Sequence, residues 1–158
     1  VRDGPEGTLE ACRAVFGDDE ADYAEALKTH YENGPQPGWQ ENFVSFYAGS
    51  HAWEDFAETW AHYLHIIDTL ETGHAWGVTI APHIDEPEQL STSIGFDPYA
   101  EDVDMRTIAD AWFVLSASLN SFNRSMGHGD LYPFVLSPAV IDKLGFIHDL
   151  VRGRIGNT

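Results

Sequence analysis

The chain has 158 residues, 43 % of them apolar and 13 % aromatic, enough apolar material for a domain with its own core and too much for a disordered one. Its 26 acidic residues against 8 basic ones leave a net charge of −18, which argues against nucleic acid or an anionic membrane surface as a partner, since both would repel it. Cys12 is the single cysteine, so neither an internal disulfide nor a cysteine-rich zinc site can form within one chain, and a reducing cytoplasm is the expected compartment.

No run of about 18 apolar residues is present, so no membrane-spanning helix is expected. The start, Val1-Arg2-Asp3-Gly4-Pro5, has neither the apolar segment of a signal peptide nor an initiator methionine. It reads as a fragment of a longer chain.

In chain order, Thr8 to Phe16 reads as a short helix closed by Gly17. Asp18 to Glu32 reads as a second, with acids in its first turn and Tyr23, Leu27 and Tyr31 as its stripe; Asn33-Gly34 ends it. Pro35 to Gly38 is a turn. Trp39 to Ala48 is expected to be helical, with Trp39, Phe43, Phe46 and Tyr47 facing inward, until Gly49 breaks it.

A long helix follows over about residues 50–72, with Ser50 as its expected N-cap. Trp53, Phe56, Trp60, Tyr63, Leu64, Ile67 and Leu70 fall on one broad arc. Glu54, Glu58, Ala61, His65 and Asp68 return on the other, with His62 at the margin. From Gly77 to Glu101 three prolines and no period predict a long loop. Asp102 or Asp104 caps a further helix carrying Ile108, Trp112, Leu115, Leu119 and Phe122. Ser137-Pro138 starts a last helix with Val140, Ile141, Leu144, Ile147 and Leu150. No stretch alternates as a strand would. The fold class is all-α: one domain of five or six helices around the long one.

There is no phosphate-binding glycine loop, no G-x-S-x-G elbow and no H-E-x-x-H pair of histidines one helical turn apart. What remains is the polar strip of the long helix. Glu54 and Glu58 are four residues apart, so their carboxylates share a face and repel unless water or a cation intervenes. Either a solvated acidic face or a cation site fits that pattern. His62 and His65 with Glu58 are a further metal-ligating combination, although a di-metal bundle would need a second Glu-x-x-His helix, and none exists.

Three runs carry more. His51-Ala-Trp-Glu54-Asp-Phe-Ala-Glu58-Thr-Trp-Ala-His62-Tyr-Leu-His65, Leu119 to Gly127, and Asp130 to Pro138 together resemble the C-terminal half of a family of bacterial zinc-binding metallopeptidases. The resemblance extends over nearly the whole chain and is poorest between Val78 and Glu101. Members are longer and typically carry a zinc ribbon and an H-E-x-x-H helix upstream. The resemblance implies a gluzincin-type site, in which two upstream histidines and one downstream glutamate hold Zn2+ and leave a position for water. The Glu-Asp-Phe-Ala-Glu run is also similar to the ligand helix of toxin-type gluzincins. By position, Glu54 is then the third zinc ligand and Glu58 the carboxylate that supports the site. Tyr47, two turns ahead, is the donor to the developing oxyanion.

Each of these residues also has a plainer role. Tyr47 can be a core aromatic, and His51 can cap the helix instead of lining a cleft. Arg124 can clamp a substrate carboxylate, or pair with Glu58 or Asp130. Tyr132, before Pro133, can simply pack. The functional expectation is the helical portion of a zinc peptidase acting on peptides, inactive as this chain alone and without stably bound zinc of its own. Surface uncovered by truncation would favour a homo-oligomer. The alternative is a non-catalytic helical domain that binds a partner or metal through its acidic face.

Overall fold

A computed structural model describes residues 1, 4–83 and 87–156. It is all-α in class, with five helices and one very short ribbon: α1 (Thr8–Phe16), α2 (Tyr23–Asn33), α3 (Ala52–Ala75), α4 (Met105–Ser125) and α5 (Pro138–Val151), with β1 (Thr79–Ile80) antiparallel to β2 (Thr92–Ser93). Two compact units share the chain. One contains residues 1–63 and 134–158, and the other residues 64–133.

In the first unit, Phe16 at the end of α1 is buried and meets Phe56 of α3 and Phe146 of α5 edge to face, at 5.2 and 5.6 Å between centroids. Gly17 closes α1 at φ 95°, a left-handed position that glycine occupies without strain. The second helix starts later than its acidic run suggests. Asp18 takes the Glu20 N–H with its own carboxylate, a local bond that competes with helix, and Asp22 caps α2 by accepting from Glu25 N at 3.0 Å. Of the expected stripe on α2, Tyr31 is exposed and Leu27 only half-buried, while the buried residue is His30, stacked on Phe46 at 3.7 Å.

Residues 39–48 do not form the expected helix. Two single 3-10 turns stand there, Trp39–Glu41 and Tyr47–Ser50. The cause is Ser45, whose Oγ accepts from Ala48 N at 3.0 Å and so offers the backbone an alternative to the helical ladder. Ser50 is not the cap of α3. That role falls to His51, which is extended and accepts from Trp53 N through Nδ1 at 3.0 Å.

α5 begins as its Ser-Pro signal predicts. Ser137 Oγ accepts from Val140 N at 3.2 Å and donates to the Glu41 carbonyl at 2.8 Å. Val140, Leu144, Ile147 and His148 are buried along it.

α3 is rolled about its axis relative to its apolar pattern. Trp53 and Leu64 are each 49 % exposed, whereas Asp55, Thr59, His62, Tyr63, Ile66, Ile67 and Leu70 make the buried stripe. Asp55 fixes that roll. Its Oδ2 lies 2.6 Å from Lys143 Nζ of α5, and the same ammonium donates to the Asn42 carbonyl at 2.5 Å and sits 4.3 Å from the Phe43 ring centroid. Thr59, one turn on, helps hold the charge of Asp55 without meeting full hydrogen-bond geometry.

In the second unit, β1 and β2 pack on α4, so the segment expected as a loop over 77–101 contains a ribbon, although its residues 84–86 lie outside the described ones. Two-residue strands are too short to show an alternating pattern. Ile94 anchors the ribbon. It is buried, its N–H donates to the Val78 carbonyl at 3.0 Å, and its side chain lies so close to Gly73 that a β-carbon there would meet Ile94 Cδ1 at 2.8 Å. Asp104 caps α4, accepting from Thr107 N at 2.8 Å. Ile108, Trp112 and Leu115 of the expected stripe are buried, but Phe122 is 67 % exposed. Among the described residues, no helix is long and apolar enough to cross a membrane.

Candidate functional site

The first turn of α3, the start of α2 and the 3-10 turn before α3 bring three groups together. Glu54, half-buried, accepts through Oε1 from the Tyr23 hydroxyl. Tyr47 is the third member, near enough to Tyr23 and Glu54 for each to influence its ionisation. Both phenols are held in their neutral, donating form. The bond to Glu54 is the main reason Tyr23 resists ionisation, followed by the nearby Tyr47 hydroxyl. For Tyr47 the neighbouring Tyr23 hydroxyl acts the other way, but burial and Glu54 outweigh it and its pKa also rises. Glu54 lies in the first turn of α3, where the helix dipole favours a carboxylate.

Around this cluster the supports are specific. His51 is buried; with Nδ1 accepting from Trp53 N, its proton sits on Nε2, which donates to the Ala21 carbonyl at 3.1 Å. Both ring nitrogens are thus spent on backbone. The ring meets Tyr23 and Trp53 edge to face, at 5.3 and 5.1 Å, so His51 acts as cap and wall. Glu58, one turn beyond Glu54, accepts from Ser45 Oγ at 2.9 Å.

The remaining sequence candidates stand elsewhere. His62 is buried against the Phe134 ring at 4.5 Å. His65 is exposed on α3. Arg124 pairs with Asp130 at 2.6 Å, its side chain 56 % exposed. Tyr132 packs edge to face on Trp112 at 4.8 Å, and Asn120 grips its backbone through Nδ2 to O at 2.8 Å and Oδ1 from N at 2.9 Å. Burial raises the pKa of the Tyr132 phenol. Among the described residues, no three His, Cys, Asp or Glu side chains converge to hold a metal.

Tyr23 is the member of the cluster that the sequence did not reveal. It lies 31 residues from Glu54, and its spacing with Leu27 and Tyr31 matched a packing stripe equally well.

The arrangement is a carboxylate with its orientation fixed by one phenol, a second phenol beside it, and a second carboxylate braced by a serine one turn away. A family model described as "Putative zinc-binding metallo-peptidase" matches residues 1–150. The chain belongs to that family. Its relatives include an uncharacterized protein of Mycobacterium bovis and two of Mycobacterium tuberculosis, each 53 % identical over 138 residues. The match covers 87 % of this chain and 37 % of each relative. No solved structure matches the chain.

Proposed function

We propose that this chain is the C-terminal helical portion of a zinc-dependent peptidase and supplies Glu54 as the third zinc ligand, with the H-E-x-x-H histidines coming from outside the chain. The carrying observation is the Tyr23–Glu54 bond. A metal-ligating carboxylate commonly has its other oxygen fixed by a hydrogen-bond donor, which sets its direction and basicity, and Tyr23 does this for Oε1.

Glu54 is a half-buried oxygen donor of the right charge, so it fits one zinc position. His51 does not fit, because both of its nitrogens are committed to the backbone. Among the described residues, His62 and His65 do not join Glu54 or Glu58 in a group of three or more metal-ligating side chains. One carboxylate makes a ligand and not a site, so this chain's part is Glu54, with Glu58 as support. Zinc, when bound, would polarise a scissile carbonyl and lower the pKa of its water. Tyr47, held neutral, would donate a hydrogen bond from its hydroxyl to a developing oxyanion on a peptide.

The test is elemental analysis of the complete protein. Glu54→Gln should cut zinc stoichiometry sharply while the circular-dichroism spectrum stays unchanged; full zinc occupancy in that variant would overturn the assignment.

A further inference from the structure

A second concavity in the first unit is left unused by this reading. It is a cavity of about 500 Å³ between α2 and the two 3-10 turns, within the range of roughly 300–1,000 Å³ that small ligands and side chains occupy. Trp39, Phe43 and Phe46 wall it, with Trp39 and Phe46 at 6.4 Å between centroids. Asp22 and Glu25 stand at its edge, Ser50 lines it, and no Lys or Arg does. The Ser50 side chain is nine-tenths buried and its hydroxyl has no hydrogen-bond partner. Asp22, Phe46 and Ser50 are the immediate chain neighbours of Tyr23, Tyr47 and His51, so the same three short segments supply the cavity lining and the surroundings of Glu54.

Aromatic rings and carboxylates without a lysine or arginine make a receptor for a cation with an apolar stem; His30, which also lines the cavity, is stacked on Phe46 at 3.7 Å and adds to the aromatic wall. The wall already holds one such group. Lys143 lies over the Phe43 ring and on the Asn42 carbonyl, both residues of the lining. Asp55 neutralises that ammonium, so it does not oppose a second cation. Lys28 pairs with Glu25 at 3.6 Å with both side chains more than half exposed, a contact weak enough to yield to a better-enclosed partner.

We propose that this cavity receives the side chain of an arginine or lysine from a bound peptide and so sets which residues the site accepts. That the peptide is a substrate rests on the peptidase reading; the binding itself does not. The test therefore uses the chain without zinc or turnover. N-acetyl-arginine methylamide and its neutral analogue N-acetyl-citrulline methylamide are titrated into the 15N-labelled protein. The arginine probe should give saturable shifts at the Trp39 indole, Thr29, Gly38 and Ser50, and citrulline should bind about tenfold more weakly. Asp22→Asn keeps a competent helix cap, and Glu25→Gln alters an exposed helix position. Together they should weaken the arginine probe about tenfold and leave the melting temperature within a degree or two. Equal binding of both probes, shifts located elsewhere, no saturation, or a folded double variant with undiminished affinity would each overturn the proposal. Failure of these would leave the zinc assignment of Glu54 untouched, and loss of that assignment would not move these shifts.

Discussion

Lys143 Nζ and Asp55 Oδ2 lie 2.6 Å apart, with side-chain exposures of 9 % and 1 %, and this pair fixes which face of α3 is inside. Removing one partner leaves the other charged and buried. Lys143→Met should therefore cost about 3–5 kcal/mol in urea unfolding, and Lys143→Met combined with Asp55→Leu should recover much of it. Single and double variants of equal stability would show that the pair does not set the roll of the helix.

The pair has a pH signature. Burial raises the Asp55 pKa from 3.8 to about 6, against the pull of Lys143 and Thr59. Because the folded pKa lies above the unfolded one, this group's stabilising contribution is complete below pH 3.8 and is lost as pH rises through about 6. Relative to Asp55→Asn, the parent should lose roughly 3 kcal/mol of unfolding free energy across that window. Parallel stability curves for the two proteins from acid to neutral pH would contradict the shift.

Tyr23 is expected to act through Glu54. In the complete protein, Tyr23→Phe should weaken zinc binding by roughly 10–100-fold in a chelator competition, while costing the fold only about 1 kcal/mol. An unchanged zinc affinity would reduce Tyr23 to a packing residue.

His51 should prove structural. His51→Ala removes the cap of α3 and the bond to the Ala21 carbonyl, for a loss of about 1–2 kcal/mol in thermal or chemical unfolding. His51→Asn should retain part of that stability. A loss of zinc with no loss of stability would instead place His51 among the ligands.

Asn120 clamps Tyr132 by two backbone bonds. Asn120→Ala should leave both Tyr132 groups without that partner and cost about 1–3 kcal/mol. It should also speed amide exchange at Tyr132.

The helices that could be read accurately from the chain have strong end signals: Gly17 after α1, Asp104 before α4, and Ser137-Pro138 before α5. Long-range effects were harder to see. Asp55 and Thr59 occupy the buried stripe of α3 because Lys143, 88 residues away, receives the carboxylate, and an apolar pattern read locally puts Trp53 inside instead. The turn at Ser45 depends on a side-chain bond that competes with helix, which residue propensities cannot resolve. For the candidate site, Glu54 and Glu58 stand out in the sequence by their spacing on one helix face, and the family resemblance adds Tyr47; their roles remain a proposal. Tyr23 does not stand out, because nothing near it in the chain announces a carboxylate contributed by another helix.

The contact between Gly73 and Ile94 has a wider reach than two residues. Even alanine at position 73 would drive its methyl into Ile94, so substitution there should unfasten the ribbon while α3 itself, freed of a glycine, becomes intrinsically more helical. The excursion between α3 and α4 is moored by a missing methyl group, and this position trades local helicity against the anchorage of an entire segment.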